Sequence, residues 1–418
     1  MKTINQYLLE QCCNFRCGIA LPYQRIPNNF CDISNVYNYS VPEDTVETWR
    51  TASGSLNFDE NKAIMGAIGE SLERYSGAVC SFNMNSYLDL KSKKNVLNYD
   101  EFSLFSDLQY NDSDFVWKRP KIEEQFFGKV YSLYDNKEWY VPQELIGLGS
   151  RTKKACIPST STGIAAHTNK YEAIMSALLE VLERDALTTY WLHSIGGREI
   201  NIEEKYKKEV ANKNGQIFCF DITQDWNPYP VVMVCGYLLI NNKKRISMGV
   251  ACRENYQKAI EKAYLEWIQG CVFAGYYDEY HTDIKLDNYK DVNSFDLHAV
   301  YYTKHPEKWE KIPLIKYRTF YKYKEQNNNL IGKNVKYKLD FLLKKLKQEN
   351  IRLFYKDIST SDVKDVGVTV IRVLSPDLSL LHGDENEMFL GGKTKDVSWR
   401  YRNLKSRKFP NQYPHPLG

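Results

Sequence analysis

Two segments of the chain repeat nearly the same amphipathic pattern at a distance of about 110 residues. Residues 63–74 read AIMGAIGESLER, residues 173–184 read AIMSALLEVLER, and residues 259–269, AIEKAYLEWIQ, form a fainter third copy. Apolar residues recur at helical spacing in each copy, which predicts three amphipathic helices with one buried face each. The period is too long for a solenoid and indicates duplication inside one domain.

Acidic side chains share one face of each repeated helix, because positions three and four apart on a helix project together. In a single copy, solvated ion pairs such as Glu70 with Arg74 would explain this pattern. Its repetition at the same phase of two helices favours a functional cluster. The acidic residues concerned are Glu70, Glu73, Glu172, Glu180, Glu183 and, in the third copy, Glu266.

A stretch rich in small residues precedes each predicted helix, at residues 51–55, 159–166 and 247–252. We therefore expect a recurring unit of strand, small-residue turn and helix. If the units pack side by side, the carboxylates converge and need cations among them, because like charges at short range cannot all stay ionised. Oxygen ligands suit Mg²⁺, helix N-termini bind phosphates, and Arg74 and Arg184 supply positive charge. This combination predicts a site for a magnesium–nucleotide complex.

Composition narrows the function class and the compartment. The net charge of +4 is small for 418 residues and argues against a dedicated nucleic-acid-binding protein. The first residues lack the apolar run of a secretory signal, and the longest apolar stretch, residues 230–240, is short for a membrane span. We therefore expect a cytoplasmic protein without membrane contact. Its ten cysteines are then expected to be reduced thiols, and the group Cys12, Cys13, Cys17 and Cys31 matches no zinc-binding spacing.

The whole pattern predicts an α+β fold, an α/β sandwich, in one interlocked domain spanning residues 1–418. A β-hairpin is expected around Asp135 and Asn136, and two core strands at residues 215–223 and 230–240. The expected parts are an N-terminal segment (1–50), the repeated units (51–275), an insertion with short helices (276–334), and a C-terminal β-α-β region with a proline-rich tail (335–418).

The last residues combine a histidine with prolines that fix the backbone. Pro414 and Pro416 flank His415, and such a stiff segment loses little entropy when it docks. From the residues alone, a docked tail and a frayed terminus are equally compatible with this pattern. Residues 391–394, GGKT, resemble the end of a phosphate-binding loop, but Glu387 stands where that motif requires glycine, so this motif is rejected.

The sequence resembles the YcaO family from about Val41 to its last residue. The resemblance is carried by GESLERYSG at 69–77, by STGIAAHTNKYEAIMSALLEVLERDA at 161–186, by the third repeated segment, and by PNQYPHPLG at 410–418. These motifs are specific for ATP-binding YcaO proteins. The resemblance implies that the repeated glutamates ligate Mg²⁺ and that the arginines of the repeats lie near the nucleotide.

ATP and Mg²⁺ are therefore the expected cofactors. Four positions depart from the usual pattern of the family, at Gly66, Thr162, Lys262 and Gly418. Lys262 replaces an arginine and lacks the bidentate guanidinium, which weakens the case for its contact with phosphate. Glu172 joins the candidate metal ligands because it continues their stripe on the helix. The candidate nucleotide-binding residues are Ser53, Gly54, Ser55, Arg74, Ser176, Arg184, Lys262 and Gln269.

The end of the chain resembles the tail of one branch of the family, the azoline-forming cyclodehydratases of thiazole/oxazole-modified microcins. This resemblance implies that a Cys, Ser or Thr side chain of a ribosomal precursor peptide attacks the preceding amide carbonyl. ATP then phosphorylates the carbonyl oxygen, and loss of phosphate leaves a thiazoline or an oxazoline. Positioning or proton transfer in that reaction is expected of the tail residues Pro414, His415, Pro416 and Gly418.

The same resemblance implies protein partners. Such enzymes act with a separate E1-like protein that binds the leader of the precursor peptide, and an azoline dehydrogenase often accompanies them. We therefore expect a homodimer or a hetero-complex. Two alternatives stay open: thioamide or amidine formation, and a nucleotide-binding scaffold that presents the peptide without catalysis. Product mass separates azoline from thioamide, and phosphate release that depends on the peptide would exclude the scaffold.

Overall fold

The computed structural model describes residues 4–13, 18–27, 33, 35–43, 53–149, 155–323 and 330–418. Cys17, Cys31 and residues 51–52, which belong to the patterns above, lie outside the described residues. Among the described residues, Cys12, Cys13, Cys219, Cys235 and Cys252 are free thiols, and Cys12 and Cys13 are buried. No helix within these ranges is both long enough and apolar enough to cross a membrane.

Three long helices contain the repeated segments, which confirms the prediction of three amphipathic helices. Each helix begins before its repeated segment and ends after it. In chain order, the helices of the described residues are α1 (Ile4–Gln11), α2 (Glu60–Val79), α3 (Tyr87–Leu90), α4 (Asp107–Asn111), α5 (Lys170–Leu192), α6 (Glu204–Asn212), α7 (Tyr256–Tyr280), α8 (Phe295–Lys304), α9 (Pro306–Trp309), α10 (Pro313–Lys316), α11 (Val335–Gln348), α12 (Ser361–Asp365) and α13 (Val397–Arg400).

The strands of the described residues form three sheets. In chain order, they are β1 (Gln24–Arg25), β2 (Tyr37–Val41), β3 (Ser53–Asn57), β4 (Met84–Ser86), β5 (Phe126–Ser132), β6 (Glu138–Pro142), β7 (Ile164–His167), β8 (Arg198–Glu199), β9 (Gln216–Asp221), β10 (Val231–Ile240), β11 (Lys243–Cys252), β12 (Thr319–Phe320), β13 (Phe354–Asp357) and β14 (Thr369–Leu374).

The sheets are almost entirely antiparallel. One has the order β1-β2-β3, and the second has the order β4-β5-β13-β14-β7 with β6 paired to β5. The third has the order β11-β10-β9-β8-β12, in which the β8–β12 pair is parallel. Long helices pack against these sheets, so the arrangement confirms the predicted α+β class.

The three repeated helices occupy equivalent places in the fold. Strands β3, β7 and β11 each lie at the edge of a sheet, and each is followed by a long helix that packs against it. Each helix also contacts the edge strand of another unit: α2 contacts β7, α5 contacts β11, and α7 contacts β3. The three strand–helix units therefore form a closed ring.

Polar residues cap the start of each repeated helix. The side chains of Asp59, Asn169 and Asn255 accept hydrogen bonds from backbone N–H groups in the first turns of α2, α5 and α7. Such caps satisfy donors that have no partner within the helix.

The small-residue stretches differ from the prediction. Residues 53–57 form β3 and residues 247–252 lie in β11, so these stretches are strands and not turns; a loop does precede β7. The physical reason is the close packing of each helix on its edge strand. A Cβ atom on Gly249 would lie 2.1 Å from the carbonyl oxygen of Ala263 in α7, so small side chains are needed within the strand itself.

Most other predicted elements are confirmed. Strands β5 and β6 pair as the expected hairpin, and Asn136 in its turn adopts a left-handed backbone conformation with φ of 57°. Strands β9 and β10 match the two predicted core strands. The C-terminal region contains α11, β13, α12 and β14 in chain order. Short helices α8, α9 and α10 lie where an insertion with short helices is expected.

Candidate active site

A cavity of about 1980 Å³ opens where the three strand–helix units meet. Every glutamate of the predicted metal cluster lines it, and so does every predicted nucleotide-binding residue. The repeated segments therefore converge, as the sequence predicts. The residues brought together here are Ser53, Gly54, Ser55, Glu70, Glu73, Arg74, Glu172, Ser176, Glu180, Glu183, Arg184, Lys262, Glu266 and Gln269.

The glutamate at the first acidic position shared by all three repeats accepts a hydrogen bond from the backbone of its own unit. An edge strand carries N–H groups without a neighbouring strand, and a nearby carboxylate satisfies such a donor. The same contact occurs three times, which fixes one oxygen of each glutamate. These bonds run from Gly54 to Glu70 (2.9 Å), from Gly163 to Glu180 (3.0 Å) and from Val250 to Glu266 (3.3 Å).

The second acidic position of each repeat reaches the neighbouring unit instead. Glu73 on α2 accepts a hydrogen bond of 2.8 Å from the N–H of Ala166 in β7. Glu183 on α5 accepts one of 3.1 Å from the N–H of Cys252 in β11. These two glutamates therefore join consecutive units of the ring.

Gln269 closes this ring of hydrogen bonds. It occupies the second acidic position on α7, and its Nε2 donates a hydrogen bond of 3.1 Å to the carbonyl oxygen of Gly54 in β3. The partner at this junction is an acceptor, whereas the other two junctions present N–H donors. An amide is therefore required where the other two repeats have a carboxylate.

Basic side chains accompany the glutamates on the same helices. Arg184 contacts two carboxylates, and each of the other basic residues contacts one on an adjacent turn of its helix. The pairs are Arg74 with Glu70 (3.3 Å), Arg184 with Glu180 (3.5 Å) and Glu183 (3.1 Å), and Lys262 with Glu266 (3.1 Å).

Burial, together with neighbouring carboxylates, raises the pKa of two glutamates of the acidic cluster. Desolvation, reinforced by Glu180 and Glu70, raises the pKa of Glu73 to about 8. Desolvation and the charge of Glu266 likewise raise the pKa of Glu183 to about 8, against the opposing effect of Arg184. Carboxyl groups with such pKa values ionise fully near neutral pH only beside a cation. The oxygen-rich donor set therefore fits hard divalent ions such as Mg²⁺.

The tail is docked, which decides between the two possibilities that its sequence leaves open. Carbonyl oxygens of the tail accept hydrogen bonds from α5 and α8: from Trp191 Nε1 to Tyr413 (2.7 Å) and from the Tyr302 hydroxyl to Pro414 (2.8 Å). Leu417 and Gly418 then line the cavity.

The other three tail residues that are expected to take part in the reaction lie in the interior of the protein, away from the cavity surface. Pro414, His415 and Pro416 are buried behind the cavity and do not line it, and His415 has no exposed surface. Its Nε2 lies 3.0 Å from the carbonyl oxygen of His382. Of the two roles expected for His415, this geometry favours positioning over proton transfer.

Several basic residues of the cavity have no counterpart in the sequence prediction. Arg253, Lys258 and Lys338 line it and add positive charge beside the acidic cluster. Arg253 follows β11 directly, at a place where the repeated motifs contain no basic residue. Lys338 comes from α11, which is remote in sequence and carries no repeated motif. Only its position in the fold reveals it.

Comparison with known proteins agrees with this geometry. Residues 57–379 match the sequence profile of the YcaO family, described as YcaO cyclodehydratase, ATP- and Mg²⁺-binding. The chain belongs to the YcaO family. ATP and Mg²⁺ are thus the cofactors of its family, and a cyclodehydratase is an enzyme. A comparison with curated protein sequences gives no significant match.

Solved structures share the fold of this YcaO chain. A heterocyclase in complex with substrate and cofactor has a TM-score of 0.71 and 15% identity, over 99% of this chain and 57% of that chain. YcaO from Methanopyrus kandleri bound with AMPPCP and Mg²⁺ has a TM-score of 0.62 and 12% identity, over 93% of this chain and 91% of that chain. The E. coli microcin synthetase McbBCD complex with pro-MccB17 bound has a TM-score of 0.65 and 18% identity, over 96% of this chain and 98% of that chain. This chain thus spans 57% of the length of the heterocyclase.

Proposed function

We propose that this YcaO protein catalyses ATP-dependent cyclodehydration of Cys, Ser or Thr residues in a ribosomal precursor peptide. The products are a thiazoline or oxazoline in the peptide, ADP and phosphate. One observation carries the proposal: the ring of repeated glutamates and the docked tail face the same cavity. A nucleotide-binding cluster alone would not require a tail at its side.

The glutamates of the ring are the residues that would hold Mg²⁺. One oxygen is fixed by a backbone N–H group in an edge strand or directly before it, which leaves the other oxygen for an ion or a basic side chain, in Glu70, Glu73, Glu180, Glu183 and Glu266. Bound Mg–ATP would supply the phosphoryl group that turns the amide oxygen into a leaving group. Arg74 and Arg184 would balance negative charge on the phosphates, because both lie on the cavity wall.

The tail would position the reacting peptide. Leu417 and Gly418 reach the cavity, whereas the prolines and His415 hold the segment in place from behind. A wall built in this way also limits the access of water, which competes with the peptide for the phosphoryl group.

A precursor peptide and a separate E1-like protein that binds its leader are the partners we propose, with an azoline dehydrogenase as a further one. The McbBCD chain of matching length, 98% covered, belongs to a named complex with a bound peptide. The longer heterocyclase contains sequence beyond the part that this chain matches. Both observations support a division of the reaction among several domains or chains.

Mass spectrometry of candidate precursor peptides tests this function. The protein, ATP, Mg²⁺ and an E1-like partner are incubated with each peptide, and phosphate release is measured in parallel. We expect the loss of one water per ring formed, and phosphate release that depends on the peptide. Replacement of oxygen by sulfur would indicate thioamidation instead, and no release of phosphate with any peptide would indicate a scaffold.

A matched pair of variants tests the role of the acidic cluster. Glu183→Gln should abolish ATP turnover while the protein stays folded, because the amide cannot ligate Mg²⁺ as a carboxylate does. Glu144→Gln is the control. Glu144 is also a buried carboxyl whose pKa is raised, to about 7, mainly by burial, but it does not line the cavity. Near-normal turnover by Glu183→Gln would refute its assignment as a metal ligand.

A further inference from the structure

A second cluster of ionisable groups lies behind the cavity wall. His298 belongs to α8, His382 and Glu385 belong to the loop that follows β14, and His415 belongs to the tail. All four side chains are buried, and His298 and His415 have no exposed surface. None of the four lines the nucleotide cavity. The repeated motifs therefore do not account for this cluster.

The donor atoms of the three histidines lie close together, and Glu385 lies beside two of them. One ligand nitrogen from each histidine lies within 4.8 Å of those of the other two. Oε1 of Glu385 lies 3.2 Å from Nε2 of His382 and 3.7 Å from Nε2 of His298. Ligands about 2.1 Å from a tetrahedral zinc ion lie about 3.4 Å from one another. The two distances from Oε1 of Glu385, 3.2 and 3.7 Å, lie on either side of this ligand–ligand distance.

Backbone carbonyls determine which nitrogen of two histidines carries the proton. Nδ1 of His298 lies 2.8 Å from the carbonyl oxygen of His415, and Nε2 of His415 lies 3.0 Å from that of His382. A carbonyl only accepts, so both of these nitrogens donate. The opposite nitrogens, His298 Nε2 and His415 Nδ1, therefore carry lone pairs. Within the described chain, both are buried and have no hydrogen-bond partner.

This arrangement is the one that metal-binding histidines adopt. Such a histidine usually donates its second N–H to a carbonyl or a carboxylate, which orients the ring and leaves the other nitrogen for the ion. With one nitrogen that donates and one that carries a lone pair, the rings of His298 and His415 are neutral. A neutral ring is the form that ligates a metal.

We propose that His298, His382, Glu385 and His415 bind one Zn²⁺ ion that fastens the tail to the body of the protein. Three nitrogen donors favour zinc over Mg²⁺, and four protein ligands fill a tetrahedral shell, as in structural sites. The Glu385 carboxylate offsets part of the charge of the ion. The rings of His298 and His415 stack in parallel with centroids 3.9 Å apart, so the two segments that carry them already lie against each other.

The proposed zinc site would brace one wall of the nucleotide cavity. Leu381 precedes His382 in the chain, Leu417 lies two residues after His415, and both leucines line the cavity. An ion that joins three chain segments would therefore hold these wall residues together. This role goes beyond the proposed cyclodehydration, because it involves neither ATP nor the peptide.

The zinc content of the full-length chain tests the proposal. The protein is produced without a polyhistidine tag in zinc-supplemented medium, and metals are measured by mass spectrometry after gel filtration. We expect about one zinc per chain. His382→Gln and Glu385→Gln should each lose most of it. His193→Gln should retain it, since His193 is equally buried but hydrogen-bonds elsewhere, to Ser406 and Thr394. Zinc at background level in the unaltered protein would overturn the proposal.

A spectrum of the cobalt-substituted protein keeps the test valid if these variants fail to fold. Unaltered protein produced with Co²⁺ should show the visible absorption of tetrahedral cobalt without an intense thiolate-to-cobalt band in the near ultraviolet. A thiolate band would place the ion at cysteines, and an octahedral spectrum would exclude the four-ligand site; either result overturns the proposal. Neither measurement uses nucleotide or peptide, so its outcome is independent of the cyclodehydratase activity.

Discussion

Gln269 shows how one side chain adapts a repeated motif to its neighbour. At two junctions of the ring the motif meets a backbone N–H group, and a glutamate accepts its hydrogen bond. At the third junction it meets the carbonyl oxygen of Gly54, and only a donor can bond to that atom. The sequence reveals the exchange of Glu for Gln, but its reason lies in the strand opposite, which no local pattern specifies.

Gln269→Glu should therefore destabilise the nucleotide-free protein. A carboxylate at this position faces the carbonyl oxygen of Gly54 and loses the hydrogen bond, which costs about 1–3 kcal/mol for partly buried groups. The change is measured as a lower midpoint of thermal unfolding near neutral pH. Gln216→Glu is the control, because Gln216 is exposed at the start of β9. Equal melting temperatures for both variants would contradict this account of Gln269.

Glu73→Gln should have the opposite effect on the ligand-free protein. The pKa of Glu73 rises from 4.5 to about 8 in the fold, so the folded state binds this proton more tightly than the unfolded chain does. The fold therefore loses stability through this group as the pH rises between those two values. Glutamine carries no such charge and can still accept the hydrogen bond from Ala166.

We expect Glu73→Gln to melt a few degrees higher than the unaltered protein at pH 8 without ligands, and the difference to vanish toward pH 4.5. Addition of Mg–ATP should reverse the order, because the variant lacks one predicted metal ligand. Differential scanning calorimetry at several pH values measures both effects. A difference that does not change with pH would show that Glu73 is not the group responsible.

At the scale of the elements, the edge strands explain why the small-residue stretches surround the site. Helix α7 lies so close to β11 that a Cβ atom on Gly249 would approach both Ala263 O, at 2.1 Å, and Trp267 N, at 2.5 Å. The repeated helices were predictable because their apolar spacing and caps are local signals. Small residues predict turns when only the local sequence is considered, so the sequence does not predict these strands. In the structure, the small side chains of each strand allow the following helix to pack closely against it.

Gly249→Ala should destabilise the protein by about 1–3 kcal/mol, the usual cost of extra volume in a closely packed interior. The added methyl group meets backbone atoms of α7, which cannot move aside without shifting the helix. Denaturant unfolding measures the effect.

Gly69→Ala is the matched control, because nothing lies within 4 Å of its Cβ position on α2. Alanine should stabilise that helix by about 0.5–1 kcal/mol. Stability changes of the same sign at both glycines would contradict the packing argument.

At the scale of the whole molecule, the site is assembled from segments far apart in the chain. The sequence predicts that the repeats converge, because three copies of one acidic motif suggest a common ligand. It does not predict the cyclic order in which each helix contacts another unit's strand, since that order depends on how the three sheets pack. Nor does it predict the meeting of His298, His382 and His415, whose spacing in the sequence follows no metal-binding pattern. That residues 1–418 form one domain stays a prediction.

The tail ties these distant parts to the proposed chemistry, and Tyr302→Phe tests that connection. Removing the hydroxyl leaves the carbonyl of Pro414 without its 2.8 Å hydrogen bond but keeps the aromatic packing of α8. Because the tail then docks less firmly, azoline formation should slow several-fold while the affinity for Mg–ATP stays unchanged. Removal of residues 414–418 should stop cyclisation altogether.

Tyr134→Phe is the control for Tyr302→Phe. The Tyr134 hydroxyl also donates to a backbone carbonyl, that of Ile351, and Tyr134 does not line the cavity. Unchanged product formation after both tail alterations would mean that the docked tail takes no part in catalysis.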